Sequence, residues 1–457
     1  MNSIPVIAIF DIGKTNKKLL LFDEQYQLVH ESSKQLEEIK DEDGFACEDV
    51  HALTKWIKNS FEALLADERF VVKAVNFSAY GASFVYLDEA LKVCLPLYNY
   101  LKPFDPQLQK QFYDTYGGES LVAKQTASPV LGNLNSGMQL YRLKYEQPET
   151  FSHIAAALHL PQYISYILTG KTFTDITSIG CHTNLWDFNI HQYHSWVKQE
   201  GVDKKFAPLL PCDSVAGYVN ETIPAGAGLH DSSSALIPYL AAFQEPFILL
   251  STGTWCISLN AFNNEPLSEE ELHQDSLCYL TYQGKSVKAS RLFAGYEHEQ
   301  QTKRLSAHFN QPLNYFSGVD YNVSLIKNEP TVSTIANNNT MVAASSFGER
   351  NLNDFESYEA AYHQFIFDLI QQQVQSTSLV LQENVKRIFV DGGFSKNAVY
   401  MHLLANAFPH MEIFAASVAQ ASSLGAALVM HAHWNNKPLP SDIIELKLYT
   451  NSNNVFL

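Results

Sequence analysis

Residues Ile9 to Asp23 read IFDIGKTNKKLLLFD: an apolar run closed by Asp11, then a glycine, hydroxyl and amide side chains and three lysines, then a second apolar run. Taken alone, this is a β-hairpin with a Gly-containing turn. A carboxylate at a strand end, followed by Lys14, Thr15, Asn16 and Lys17 in a tight turn, can equally hold Mg²⁺ and wrap phosphates. Asp11 could also be a turn residue that bonds only its local N–H groups. What else the chain supplies decides between these.

The pattern returns. Phe247 to Phe262 reads FILLSTGTWCISLNAF, again a strand, a turn holding Ser251, Gly253 and Thr254, and a second strand. With Ser251 laid on Asp11, Gly253 falls on Gly13 at the same offset of 240 residues. An internal duplication with a boundary near Phe243 follows, giving domains 1–243 and 244–457. A chain of 457 residues exceeds what one core comfortably holds, which agrees.

Around these hairpins the periodicity predicts a helix over Asp49 to Leu65, capped by Asp49, then a buried strand over Val71 to Phe77. Strands, helix and strand in that order make an α/β domain with a mixed sheet. In the middle, Leu134 to Tyr145 and His153 to Leu168 read as helices and Asp175 to Phe188 as extended. The second half predicts a helix over Asp354 to Glu383, a strand KRIFVDGG, a helix SKNAVYMHLLANAF and a strand EIFAAS. A last helix, AQASSLGAALVMHAHW, is rich in small residues that can pack closely on a sheet.

Formal net charge is -17, which argues against nucleic acid or an anionic membrane as partner. Six scattered cysteines with no paired spacing predict reduced thiols and a cytoplasmic setting. The first apolar run is too short for a signal-peptide core, and no stretch is long and apolar enough to span a bilayer. A homodimer is left open.

Four segments bring a polar group to a tight glycine turn: DIGKTNKK, AGLHDSSSA, LSTGTW and VDGGFSKN. Successive N–H groups in such turns make anion-binding concavities. No Gly-x-x-x-x-Gly-Lys-Ser/Thr loop and no dinucleotide fingerprint is present. Asp231 stands before an apolar helical run, where an N-cap is the commonest role; it could also accept a proton from a hydroxyl attacking a phosphate. His230 beside it could bond a sugar hydroxyl. Gly392 and Gly393 would let a flat ligand lie on bare backbone, with Ser395 as the cap of the next helix. His431 and His433 point to different helix faces and do not make a metal pair.

In this order the segments resemble the FGGY carbohydrate kinases, sugar and polyol kinases with the duplicated ATPase fold of actin and hexokinase. The resemblance implies an α/β fold of two actin-like, ribonuclease H-like domains with a nucleotide cleft between them, and ATP and Mg²⁺ as cofactors. It puts Asp11 at the metal, and Lys14, Thr15, Asn16, Lys17 and Thr254 at the phosphates. Gln300 in RLFAGYEHEQ falls on a nucleotide-contacting helix, and Gly392, Gly393 and Asn397 on the adenosine motif. GLHDSSSA is similar to the rhamnulokinase form of the catalytic segment, which implies Asp231 as base and His230 as a sugar contact. SAYGASFVYLD implies Tyr80 and Gly81 at the sugar. The usual aromatic, Asp and Arg cluster after Leu95 to Leu97 is replaced by PLYNYLKP, which makes glycerol and ordinary xylulose poorer matches.

The implied activity is phosphorylation of a ketose, a 6-deoxyhexulose or a pentulose, by Mg-ATP. The alternatives are a polyol kinase and a non-catalytic sugar sensor on the same fold.

Overall fold

Val6 to Phe10 lose all solvent contact, because their strand, Ile4–Ile12, lies inside a seven-stranded sheet. It pairs antiparallel with Lys17–Asp23, placing Asp11 opposite Lys18, and parallel with Phe70–Ala79, placing Asp11 opposite Ser78. Lys17–Asp23 pairs onward with Leu28–Lys34. The computed structural model describes residues 3–326, 346–418 and 420–450.

The second half repeats this arrangement. Phe247–Thr252 runs antiparallel to Cys256–Asn260 and parallel to Arg387–Gly392, and Cys256–Asn260 pairs onward with Ser286–Leu292. Ser251 therefore occupies the place of Asp11, and Asp391, opposite Ser251, that of Ser78. The turns are closed alike: Gly13 N–H donates to Asn16 O and Gly253 N–H to Trp255 O, each at 2.9 Å. The duplication read from two short segments is thus a duplication of sheet topology.

The helix Val50–Leu65 covers the outer face of the first sheet with Val50, Leu53, Ile57, Phe61 and Leu64, and Asp49 caps it by accepting from His51 N and Ala52 N. On the inner face, Ile7 and Ile9 share one core with Leu236 and Ile237 of the helix Asp231–Ala242, Leu424 and Ala427 of the helix Ala421–Val429, and Leu249 and Phe389 of the second sheet. Two helices are therefore sandwiched between two sheets.

The small-residue helix packs tightly on its partner helix as well as on the sheet: a Cβ on Gly425 would lie 1.9 Å from Ser234 O. Asn76 Nδ2 bonds Ala426 O at 2.8 Å from within the first sheet. Ala419 of that predicted stretch lies outside the described residues.

Three expectations change. His153 to Leu168 is split: Ala156–His159 is a strand paired with Phe84–Leu87, and the helix is Leu160–Thr169. Pro161, with no N–H to give, marks the helix start. Asp175 to Phe188 is not extended. Asp175 caps a short helix, Ile176–Ile179, by accepting from Thr177 N and Ser178 N, and His182 and Asn184 take positive φ. The long late helix is Tyr358–Ser378, begun by a Ser357 cap.

Candidate active site

The strand Leu229–His230 ends against Phe70–Ala79, with His230 opposite Ala79, and a helix starts at once with Asp231. Asp231 is not the cap: His230 holds that position without a side-chain bond, and Asp231 Oδ1 accepts from its neighbour Ser232, from N at 2.6 Å and from Oγ at 3.3 Å. Its side chain keeps 36% exposure, while the surrounding protein pushes its pKa up to about 6. A carboxylate at the positive end of a helix and poised near neutrality suits proton acceptance.

His230 is buried, and burial pushes its pKa down to about 4, so the ring is neutral. Nε2 lies 3.4 Å from Asp231 Oδ1 and 3.5 Å from Cys181 Sγ. Gly81 makes room for that ring, since a Cβ there would sit 2.7 Å from it. Tyr80 is buried beside Glu48, edge-on to Tyr100 at 6.2 Å, with Lys14 Nζ 5.9 Å from its ring. Tyr100, supplied by PLYNYLKP, is raised by burial first and then by the charges of Asp231 and Glu48. Asn99 instead bonds Ala46 O and Leu101 N.

Asp11 sits at its strand end with Oδ2 accepting from Ser422 Oγ at 2.8 Å and Ser423 Oγ at 2.7 Å. Its pKa is raised by burial above all, with the Asp231 charge adding to it and Lys18 opposing. A buried carboxylate at a strand end, raised further by a second carboxylate, suits a divalent cation. Among the described residues no cluster of three or more metal-ligating side chains exists, so Mg²⁺ would be held by Asp11 together with water and phosphate oxygens.

The first loop divides its lysines. Lys17, expected at the phosphates, is 2% exposed. Its Nζ pairs with Glu48 Oε1 at 2.5 Å and bonds the carbonyls of Gly13 and Lys14. It braces the turn from beneath, because its place opposite Ile12 in the ladder turns it inward. Lys14 is partly exposed and pairs with Glu38 at 3.2 Å. Thr15 and Asn16 form the exposed tip.

Across the cleft, a cavity of about 420 Å³ is lined by Thr252, Gly253, Gly295, His298, Gly393, Asn397 and their neighbours. Side chains are excluded around it: a Cβ on Gly295, which lines it, would meet Gly253 O at 1.9 Å, and one on Gly392, outside the lining at φ +90°, would meet Thr252 O at 2.1 Å. Bare backbone beside Phe316 and Phe394 fits a flat base with a phosphate tail. Thr254 is exposed at the tip of the second turn, outside the lining. Gln300 is also outside it, about 200° round the helix from His298. Asn397, not Ser395, caps the following helix, accepting from Tyr400 N; Ser395 Oγ bonds Gly392 O.

Residues 6–237 match the N-terminal domain of the FGGY family of carbohydrate kinases, and residues 244–438 match the FGGY C-terminal domain. The chain belongs to the FGGY family of carbohydrate kinases. It is 24% identical over 260 residues to a rhamnulokinase of Halalkalibacterium halodurans, a match covering 54% of this chain and 52% of that protein, so it spans about half the length of the curated relative.

Solved structures share the fold. A carbohydrate kinase from Novosphingobium aromaticivorans superposes with a TM-score of 0.78 at 21% identity over 99% of this chain and 95% of that one. A ligand-bound xylulose kinase from Lactobacillus acidophilus gives 0.79 at 16% over 98% and 94%. Glycerol kinase of Plasmodium falciparum with ADP gives 0.70 at 18% over 95% and 90%.

In this FGGY chain two residues lining or flanking the cleft escape a reading of the sequence. Tyr100 could be suspected only as an aromatic in an otherwise unmatched segment. His298 is three residues after Gly295 and so on the same helix face, a signal that spacing does carry.

Proposed function

We propose that the protein is an ATP-dependent sugar kinase that phosphorylates a hydroxyl of a ketose, a 6-deoxyhexulose such as rhamnulose or fuculose, or a pentulose, in the cytoplasm. One observation carries the reading: Asp231, which burial raises to about 6, opens its helix directly after His230, whose ring lies over Gly81, and its charge helps to raise the carboxyl of Asp11 at the end of the first strand.

Asp231 Oδ accepts the proton of the attacking hydroxyl as that oxygen bonds the γ-phosphorus and the bond to the β-phosphate oxygen breaks, leaving ADP. Neutral His230 orients the sugar and adds no competing charge. Tyr80 and Tyr100 give the sugar an aromatic wall. Asp11 would hold Mg²⁺, which would neutralise phosphate charge. The backbone turns at Gly13 and Gly253 face the phosphates, and the glycine-edged cavity takes the adenosine.

ADP release with Mg-ATP, measured across ketoses, aldoses and polyols for wild type and Asp231→Asn, tests this. Turnover on one ketose that is lost in the variant is expected. Silence on every sugar with ATP still bound would overturn it.

A further inference from the structure

Asn397 Oδ1 accepts from Tyr400 N at 3.0 Å. A backbone N–H can only donate, so the amide is oriented, and Nδ2 is the atom that bonds Tyr362 OH at 2.6 Å. Tyr362 is fully buried, and among the described residues its oxygen has one further partner, His298 Nε2 at 2.9 Å. The phenol accepts from Asn397, so its one proton has a single acceptor in reach, the ring nitrogen of His298. Were Nε2 protonated instead, the tyrosine proton would be buried without a partner, which folded proteins avoid.

His298 Nε2 is thus an acceptor, and the neutral ring carries its proton on Nδ1. Burial keeps it neutral, pushing its pKa down to about 4, among Phe316, Phe394 and Phe365. Thr302 Oγ1 reaches the carbonyls of His298 and Glu299 and not the imidazole, and Nδ1 is not among the buried polar atoms that lack a partner. Since His298 lines the cavity, Nδ1–H is the donor it offers there.

We propose that His298 is a nucleotide-binding residue: a neutral imidazole whose tautomer is fixed by the Asn397–Tyr362 relay and whose Nδ1–H donates to an acceptor atom of the bound purine nucleotide. This rests on the reading of the cavity as the nucleotide side of the cleft. It gives Asn397 a second task beyond capping, and it moves the helix contribution from Gln300 to the face bearing Gly295.

ADP is the probe, with His298→Asn, His298→Leu and Tyr362→Phe. Asparagine puts an N–H donor near the place of Nδ1 and leucine puts none, while both lose the bond to Tyr362, so their difference isolates the donor. Titration calorimetry should find ADP affinity within about threefold of wild type for His298→Asn and about tenfold or more weaker for His298→Leu. Long-range ¹⁵N–¹H spectra of the histidines should show His298 as the Nδ1–H tautomer, becoming mixed in Tyr362→Phe. An Nε2–H tautomer in wild type, or equal ADP affinity for the Asn and Leu variants, would overturn the proposal alone. No ADP binding by wild type would overturn the nucleotide reading and this assignment with it.

Discussion

Ser423 Oγ donates to Asp11 Oδ2 at 2.7 Å across 412 positions of chain, tying the end of the first strand to the first turn of the helix that closes the fold. Ser422 does the same at 2.8 Å. The carboxylate proposed to hold the metal is therefore aimed by the other half of the molecule.

Replacing both serines with alanine frees that carboxylate without opening the core. The expected result is an about 10–100-fold higher Mg²⁺ requirement, with a lower melting temperature because a buried acceptor loses both of its side-chain donors. Titrating activity against Mg²⁺ at saturating ATP measures it, and an unchanged requirement would remove the metal role from Asp11.

Asp231 must be ionised to accept a proton, and its pKa is pushed up to about 6. kcat/KM should therefore fall about tenfold per pH unit below about 6 and level off above it. Asp231→Asn should lose about 10²-fold or more in kcat while still binding ADP.

The same shift has a stability consequence. A carboxyl raised in the folded state binds more protons folded than unfolded, so stability drops as pH rises from the ordinary carboxylate value of 3.8 through about 6. Asp231→Asn lacks that loss and should melt higher than wild type at neutral pH but not at pH about 4. Calorimetric scans at both pH values check the sign.

Lys17 and Glu48 are both buried, at 3% and 7% side-chain exposure. Lys17→Met alone leaves Glu48 uncompensated and should cost about 3–5 kcal/mol by denaturant unfolding. Adding Glu48→Met should restore most of it. A lysine acting on phosphate would not be rescued by changing Glu48.

Gly81→Ala and Gly392→Ala should split by substrate. The first drives a methyl into the His230 ring at 2.7 Å and should raise the sugar KM with ADP affinity kept. The second meets Thr252 O at 2.1 Å from a left-handed backbone and should weaken ADP with sugar binding kept. Calorimetry with each ligand separates them.

What the sequence determined by itself was everything carried by short windows. Alternation and turn chemistry set the two hairpins, Asp49 set a helix start, and the offset between Asp11 and Ser251 gave the duplication. Local reasoning failed where neighbours in space outweighed neighbours in chain: Lys17 looked like its fellow lysines until ladder register turned it inward to Glu48. Asp231 looked like a cap until His230 took that place, and Asp175 to Phe188 looked extended until a buried Asp175 cap bent it.

Only the tertiary structure decided that Ser422 and Ser423 hold Asp11, that Gly425 lets two helices cross against Ser234 O, and that Asn397, Tyr362 and His298 form one relay. Each of these joins elements far apart in sequence. Their partners are chosen by the packing of two sheets around a shared helix pair, a constraint that no window of residues contains.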